Sequence, residues 1–229
     1  MRHHSFNDGD TLARKLAADV VASLQRRLAT GGEASLVVSG GRTPAPFLRE
    51  LGRLPLDWSR VHVTAADERC VPKSDAASNL RMVRDAFAGT GAAQAHLLDV
   101  DATAEDAAAQ WSAAISGLPR PFAAVVLGMG DDGHFASLFP GMPGLAAALA
   151  TVAPAAPAVV PGLAPVEPSA RLSLTLATLL DTDLLALHVT GPSKLATLQR
   201  ASQPGSALEM PVRALLDQRR ATLEIYHAP

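Results

Sequence analysis

The residues in this chain with the clearest chemical potential stand behind an apolar run. Phe122-Ala123-Ala124-Val125-Val126-Leu127 reads as a buried strand, and it opens into Gly128-Met129-Gly130-Asp131-Asp132-Gly133-His134. Three glycines make that stretch a tight turn, and the residues after it can start a helix. In an open parallel sheet, ligands bind at the carboxyl ends of strands. A neutral imidazole held there can take a proton from water. Asp132, two residues earlier, can orient the ring or meet a sugar hydroxyl. The plainer alternative is a core histidine with a satisfied hydrogen bond.

Three more strand ends carry polar groups. Ser39-Gly40-Gly41-Arg42-Thr43-Pro44 follows the short apolar strand Ser35–Val38. Glycines let backbone N–H groups approach an anion, and a helix start adds a favourable dipole. The turn suits one phosphate, yet it matches neither the P-loop lysine pattern nor the dinucleotide fingerprint. Taken alone, it is equally consistent with a turn that binds nothing. Asp67-Glu68-Arg69 ends the strand Val61–Ala65 and is either a solvated loop or an arginine aimed at a phosphate or carboxylate. Gly191-Pro192-Ser193-Lys194 ends the strand Leu184–Thr190. A lysine at a helix start opposes the dipole unless an anion shares the site. In isolation it reads as a surface lysine.

The other histidines lack such surroundings. His62 and His188 fall inside expected strands and read as structural, while His3, His4 and His227 lie near the termini. No histidine pair has a metal-ligand spacing on one helix, and no Gly-x-Ser-x-Gly elbow is present.

The elements that must position these turns follow from periodicity. Leu12, Leu16, Val20, Leu24 and Leu28 predict a helix over 9–30, stopped by Gly31-Gly32. Further helices are expected from Pro44 to about Arg53, from about Ser78 to Ala88, over 103–116 and after Lys194. His96–Leu98, Ala170–Thr175 and Thr222–Tyr226 read as strands, and 145–165 as a strand plus irregular connection. Strand, glycine turn and helix in repeated order argue for a mostly parallel sheet covered on both faces.

Bulk properties narrow the function classes. Apolar residues at 48% and charged residues at 18% describe a globular chain, and 229 residues suffice for one α/β domain spanning 1–229. A net charge of −2 offers no electrostatic case for nucleic acid or an anionic membrane. Cys70 is the single cysteine, which excludes an intrachain disulfide and a four-cysteine zinc site. Pro154, Pro157, Pro161 and Pro165 break the one stretch apolar enough to suggest a membrane span, since a proline inside a helix costs ~3 kcal/mol. The first residues lack an apolar signal core, so a cytoplasmic location is expected.

Taken together, the motifs resemble the 6-phosphogluconolactonases, lactone hydrolases of the oxidative pentose phosphate pathway. The resemblance runs through Ser39–Pro44, Asp67–Pro72 with Ser78-Asn79, Gly128–His134 with Ala136-Ser137-Leu138-Phe139-Pro140, Arg171 with Leu172–Thr175, and Gly191–Lys194. It implies a Rossmann-like three-layer α/β fold and hydrolysis of 6-phospho-D-glucono-1,5-lactone without metal or organic cofactor. It further implies His134 as general base, assisted by Asp132 and Arg69. Oxyanion stabilisation would fall to Arg69 or to N–H groups of the glycine turn. Ser39, Gly40, Gly41, Arg42, Thr43, Asp67, Gly130, Arg171 and Lys194 would hold substrate and its phosphate. The expected partners are the sugar-phosphate lactone and at most a second copy in a weak homodimer, not nucleic acid or membrane.

The related glucosamine-6-phosphate deaminases share Asp-Gly-His but usually continue into Phe-Asn-Glu-Pro and carry Asp-Glu-Tyr. Here Ala136–Pro140 and Asp67-Glu68-Arg69 favour the lactonase. Arg42 stands where the family commonly has serine, and the stretch between Pro140 and Arg171 offers no residue to match. A deaminase and a non-catalytic sugar-phosphate sensor remain the rival readings.

Overall fold

A computed structural model describes residues 1–41, 43–94, 104–152 and 156–229. Arg42 and the strand expected at His96–Leu98 lie outside the described residues. Helix α1 (Gly9–Gly31) starts where the Asp8 side chain accepts from Thr11 N at 2.7 Å. Its leucine stripe is buried, with Leu12, Leu16 and Leu24 at 0% exposure. That stripe joins Phe47, Leu48 and Leu51 of α2 (Ala45–Arg53) on one face of the main sheet.

Among the described residues the main sheet has seven strands, all parallel. Within it β2 (Ala34–Val38) pairs with β3 (Val61–Ala65) on one side and with β6 (Ala124–Leu127) on the other. The sheet extends outward from β3 to β5 (Ala93–Gln94). In the opposite direction it extends from β6 through β9 (Leu185–Thr190) and β10 (Leu223–Ala228) to β1 (Arg2–Ser5) at the edge. All residues of β2 and β6 are buried, as expected for central strands covered on both faces. The strand order, not the strand direction, reverses between β2 and β6, and a crevice opens beyond their carboxyl ends.

The opposite face is covered by α4 (Ala104–Ser116), α7 (Pro192–Ala201), α8 (Val212–Asp217) and the short α6 (Leu176–Leu179). A second, antiparallel sheet packs there too, ordered β4 (Asp67–Arg69), β8 (Ala170–Leu174) and β7 (Val159–Leu163). Asp67–Arg69 is therefore a strand and not a solvated loop. Among the described residues, no helix is long and apolar enough to cross a membrane.

Two local expectations are corrected. The segment after His134 does not start a helix; it turns through an isolated bridge between Phe135 and Leu138, with Ala136 at φ 48°. Helix resumes only at α5 (Leu145–Ala148), beyond Pro140 and Gly144. That α5 also lies within 145–165, which was expected to hold only a strand and irregular chain.

Candidate active site

The turn after β6 is built around His134. Gly130 N donates to His134 O at 2.9 Å, and Gly133 N donates to Gly130 O at 3.0 Å. Asp132 Oδ1 accepts from His134 N at 3.1 Å and lies 2.5 Å from His134 Nδ1. Burial works to raise the Asp132 carboxyl, but its hydrogen bonds to His134 and that ring's charge outweigh it and hold it below the usual range. An ionised carboxylate only accepts, so Nδ1 holds a proton toward Asp132, and in the neutral form of the ring Nε2 is the nitrogen with the lone pair. A Cβ on Gly130 would overlap the His134 ring and sit 2.7 Å from Asp132 Oδ1, so only glycine lets the ring lie this close. Phe139 packs on the imidazole with ring centroids 4.3 Å apart. The turn is tied down from outside as well. Val212 N donates to Gly133 O at 2.8 Å, and Ser193 Oγ donates to Asp131 Oδ1 at 3.0 Å.

The turn after β2 is organised differently. Ser39 N donates to Val126 O at 2.9 Å, and Ser39 Oγ accepts from Gly128 N at 3.1 Å. Those two bonds bring the two turns together at the switch point. Among the described residues, no acceptor takes the N–H of Gly40 or Gly41. Lys194, in the first turn of α7, reaches across to donate to Thr43 Oγ1 at 3.2 Å. His188 is buried in β9, and its Nδ1 has no hydrogen-bond partner among the described residues. Burial and then the charge of Lys194 push this imidazole down to about 4, so it is neutral at pH 7.

The third wall comes from β4 and α3 (Asn79–Ala86). Glu68 is 1% exposed and its carboxylate caps the start of α3. It accepts from Arg69 N (2.7 Å), Asn79 N (2.8 Å), Leu80 N (2.6 Å) and Ser78 Oγ (3.0 Å). Burial raises this carboxyl above the usual range, against those four hydrogen bonds. Asp67 accepts from Ser137 Oγ at 2.6 Å. Arg69 donates through Nη1 to Ala77 O, which fixes the root of its guanidinium. Arg171 lies opposite Arg69 in the β4–β8 register and is buried, with Nε and Nη1 unpartnered among the described residues. Burial, then the charge of Arg69, lowers its pKa, while Asp67 counteracts.

These walls enclose a cleft of about 380 Å³. Ser39, Gly40, Gly41, Thr43, Asp67, Arg69, Gly130, His134 and Lys194 all line it. Asp132 reaches the cleft only through His134, and Arg171 sits behind Asp67 and Arg69 without lining it. Asn79 lines the cleft and was missed as a site residue, although it stands in the matching Ser78-Asn79 motif. Glu68 and Ser137 were also missed in their bracing roles. Among the described residues, no three metal-ligating side chains stand together. A larger hollow of about 510 Å³ lies elsewhere, under α5 and β7, and among the described residues its lining is mostly apolar, with Glu105 its one charged residue.

A doubly wound α/β sheet with a cationic, amide-lined cleft and a carboxylate-held histidine at its switch point defines an enzyme of small anionic substrates. The comparisons narrow the class. The model of the family "Glucosamine-6-phosphate isomerases/6-phosphogluconolactonase" matches residues 7–224, and the chain belongs to that family. It is 43% identical to a 6-phosphogluconolactonase of Pseudomonas putida over 229 residues, which covers 99% of this chain and 92% of that protein. It is 44% identical to one from Rhizobium meliloti, covering 99% and 98% of the two chains. Its backbone is similar to the crystal structure of a 6-phosphogluconolactonase from Shewanella baltica, with TM-score 0.94, 34% identity, and coverage of 100% and 98%.

Proposed function

We propose that this chain hydrolyses 6-phospho-D-glucono-1,5-lactone to 6-phospho-D-gluconate, with His134 as general base. The observation that carries the proposal is the 2.5 Å contact between His134 Nδ1 and Asp132 Oδ1 beside the cleft. It leaves Nε2 as the nitrogen that accepts a proton from water. The resulting hydroxide equivalent attacks the lactone carbonyl and forms a tetrahedral intermediate. The imidazolium, stabilised by Asp132, returns its proton to the ring oxygen as the C1–O bond breaks. The net change is addition of one water across the ester. Such acid–base help is worth ~10²–10⁴-fold in rate. Arg69 lines the same cleft and carries the charge that meets the developing oxyanion.

The phosphate is assigned to the Ser39–Thr43 turn with Lys194. The open N–H groups of Gly40 and Gly41, a hydroxyl and an ammonium suit a dianion. Arg42 and Arg171 are assigned to the same end of the substrate. The buried, unpartnered nitrogens of Arg171 supply positive potential from behind the cleft wall. We place the enzyme in the cytoplasm, as a monomer or weak homodimer, acting without metal or organic cofactor.

Deamination of an amino sugar phosphate would need a further acid–base group to move a proton between C1 and C2. Asp67 is the available carboxylate, and Ser137 Oγ already occupies one of its oxygens at 2.6 Å. The test is to supply fresh 6-phosphogluconolactone and, separately, glucosamine 6-phosphate. Loss of lactone above the spontaneous rate, without ammonia from the amino sugar, is expected. Ammonia release, or binding of either without turnover, would overturn the proposal.

A further inference from the structure

Gly40 and Gly41 are both glycine for different physical reasons. Gly41 occupies the left-handed region at φ +102°, where any side chain is strained. Gly40 does not, and its backbone would tolerate alanine. The nearest atoms a Cβ at Gly40 would meet all belong to the side-chain amide of Asn79, whose Oδ1, Cγ and Nδ2 fill that space.

Asn79 cannot withdraw easily. It is 2% exposed, and its Nδ2 donates to Asp67 O at 2.8 Å. Its own N–H is held by Glu68 Oε1 at 2.8 Å, within the carboxylate cap that also holds Arg69 N and Leu80 N. One amide therefore spans from β4 to the turn after β2. It touches the segment carrying Asp67 and Arg69 on one side and the segment offering open N–H groups on the other.

We infer that Asn79 is a positioning residue that wedges the Ser39–Thr43 turn in its anion-accepting shape. The inference rests on the assignment of that turn to the substrate phosphate. The amide keeps Gly40 at a fixed distance from β4, so the Gly40 and Gly41 N–H groups stay directed at one locus instead of closing onto the strand. Asparagine suits the task because one group both donates to the Asp67 carbonyl and presents a flat, uncharged edge to Gly40. An aspartate of the same shape would set a carboxylate against that carbonyl and add negative charge beside a phosphate.

A double-mutant cycle on Gly40 and Asn79 tests the inference, read by calorimetric binding of inorganic phosphate and by KM and kcat for the lactone. Asn79→Ala is expected to weaken phosphate binding and to raise KM by about tenfold, the scale of one lost buried hydrogen bond, with a smaller change in kcat. Gly40→Ala is expected to do the same by pushing the amide aside. In the Asn79→Ala background, Gly40→Ala no longer meets the amide and should add less than about twofold, the signature of coupled neighbours. Effects that multiply across the cycle, phosphate binding at wild-type strength in Asn79→Ala, or a loss confined to kcat would each overturn the inference. Should Gly40→Ala fail to fold, as thermal melting would show, Asn79→Ala alone still gives either result. A wild-type protein that binds phosphate but leaves the lactone intact would count against the proposed reaction, while the phosphate cycle would still decide the role of Asn79.

Discussion

The two turns at the switch point of the sheet are made of similar residues and are built in opposite ways. After β6, the N–H groups of Gly130, Gly133 and His134 are engaged within the turn, and neighbouring helices hold it from outside. After β2, the Gly40 and Gly41 N–H groups take no acceptor among the described residues. A turn whose glycine N–H groups are engaged holds one side chain in one geometry, which is what a proton-transfer step requires. A turn whose glycine N–H groups are open keeps donors for a ligand, which is what anion binding requires. Glycine content alone does not distinguish the two; the destination of the glycine N–H groups does.

Several substitutions would break or sharpen that contrast. The largest effect is expected from Gly130→Ala, because the new methyl must displace the His134 ring or Asp132. A misplaced base costs on the order of 10²-fold or more in kcat, read by steady-state assay, with phosphate binding retained. Asp132→Asn comes next. It frees Nδ1 from an ionised acceptor and permits the wrong tautomer. With the Asp132 side chain 40% exposed, a loss of about 10²-fold in kcat is expected, below the ~10⁴-fold seen when a buried carboxylate is neutralised. Lys194→Ala acts on the other turn and, on the proposed assignment of Lys194 to the phosphate, should raise KM about tenfold, more than it lowers kcat, because a charged hydrogen bond of that kind acts in ground and transition states alike. An unaltered KM, with unaltered competitive inhibition by 6-phosphogluconate, would remove Lys194 from the phosphate site.

His188→Gln should have the smallest effect on turnover, since this imidazole is neutral at pH 7. Its signature lies in stability. The folded pKa of His188 is lowered from 6.5 to about 4, so between those values the unfolded chain binds more protons than the folded one. Stability therefore falls as pH drops from about 6.5 to about 4, and this residue adds nothing further below that range. Denaturant unfolding at pH 7 and at pH 4 should show a flatter pH dependence in the variant than in the wild type.

Much of this layout was legible in the chain. The strands ending at Val38, Leu127 and Thr190 are apolar runs stopped by glycine, so local pattern alone located the turns carrying Ser39, His134 and Lys194. Strand β4 was not legible as a strand, because Asp67-Glu68-Arg69 has no apolar alternation. It pairs with β8, about a hundred residues away, and the carboxylates of Asp67 and Glu68 are buried by partners the local sequence does not display. Strand β1, Arg-His-His-Ser, was missed for a similar reason: its pairing with β10 supplies what its composition lacks. The Asp67–Ser137 and Gly40–Asn79 contacts also join distant segments, so neither could be read from spacing. Arg42 and His96–Leu98 lie outside the described residues.

On the proposed reaction, the turn after β6 performs the chemistry while the turn after β2 and Lys194 hold the substrate. His134→Ala separates the two roles when it is measured for lactone turnover above the spontaneous background and for 6-phosphogluconate binding by calorimetry. A kcat loss of ~10²–10⁴-fold is expected, with product affinity close to wild type. Near-wild-type turnover, or a loss of product affinity as large as the loss of rate, would overturn this division of labour.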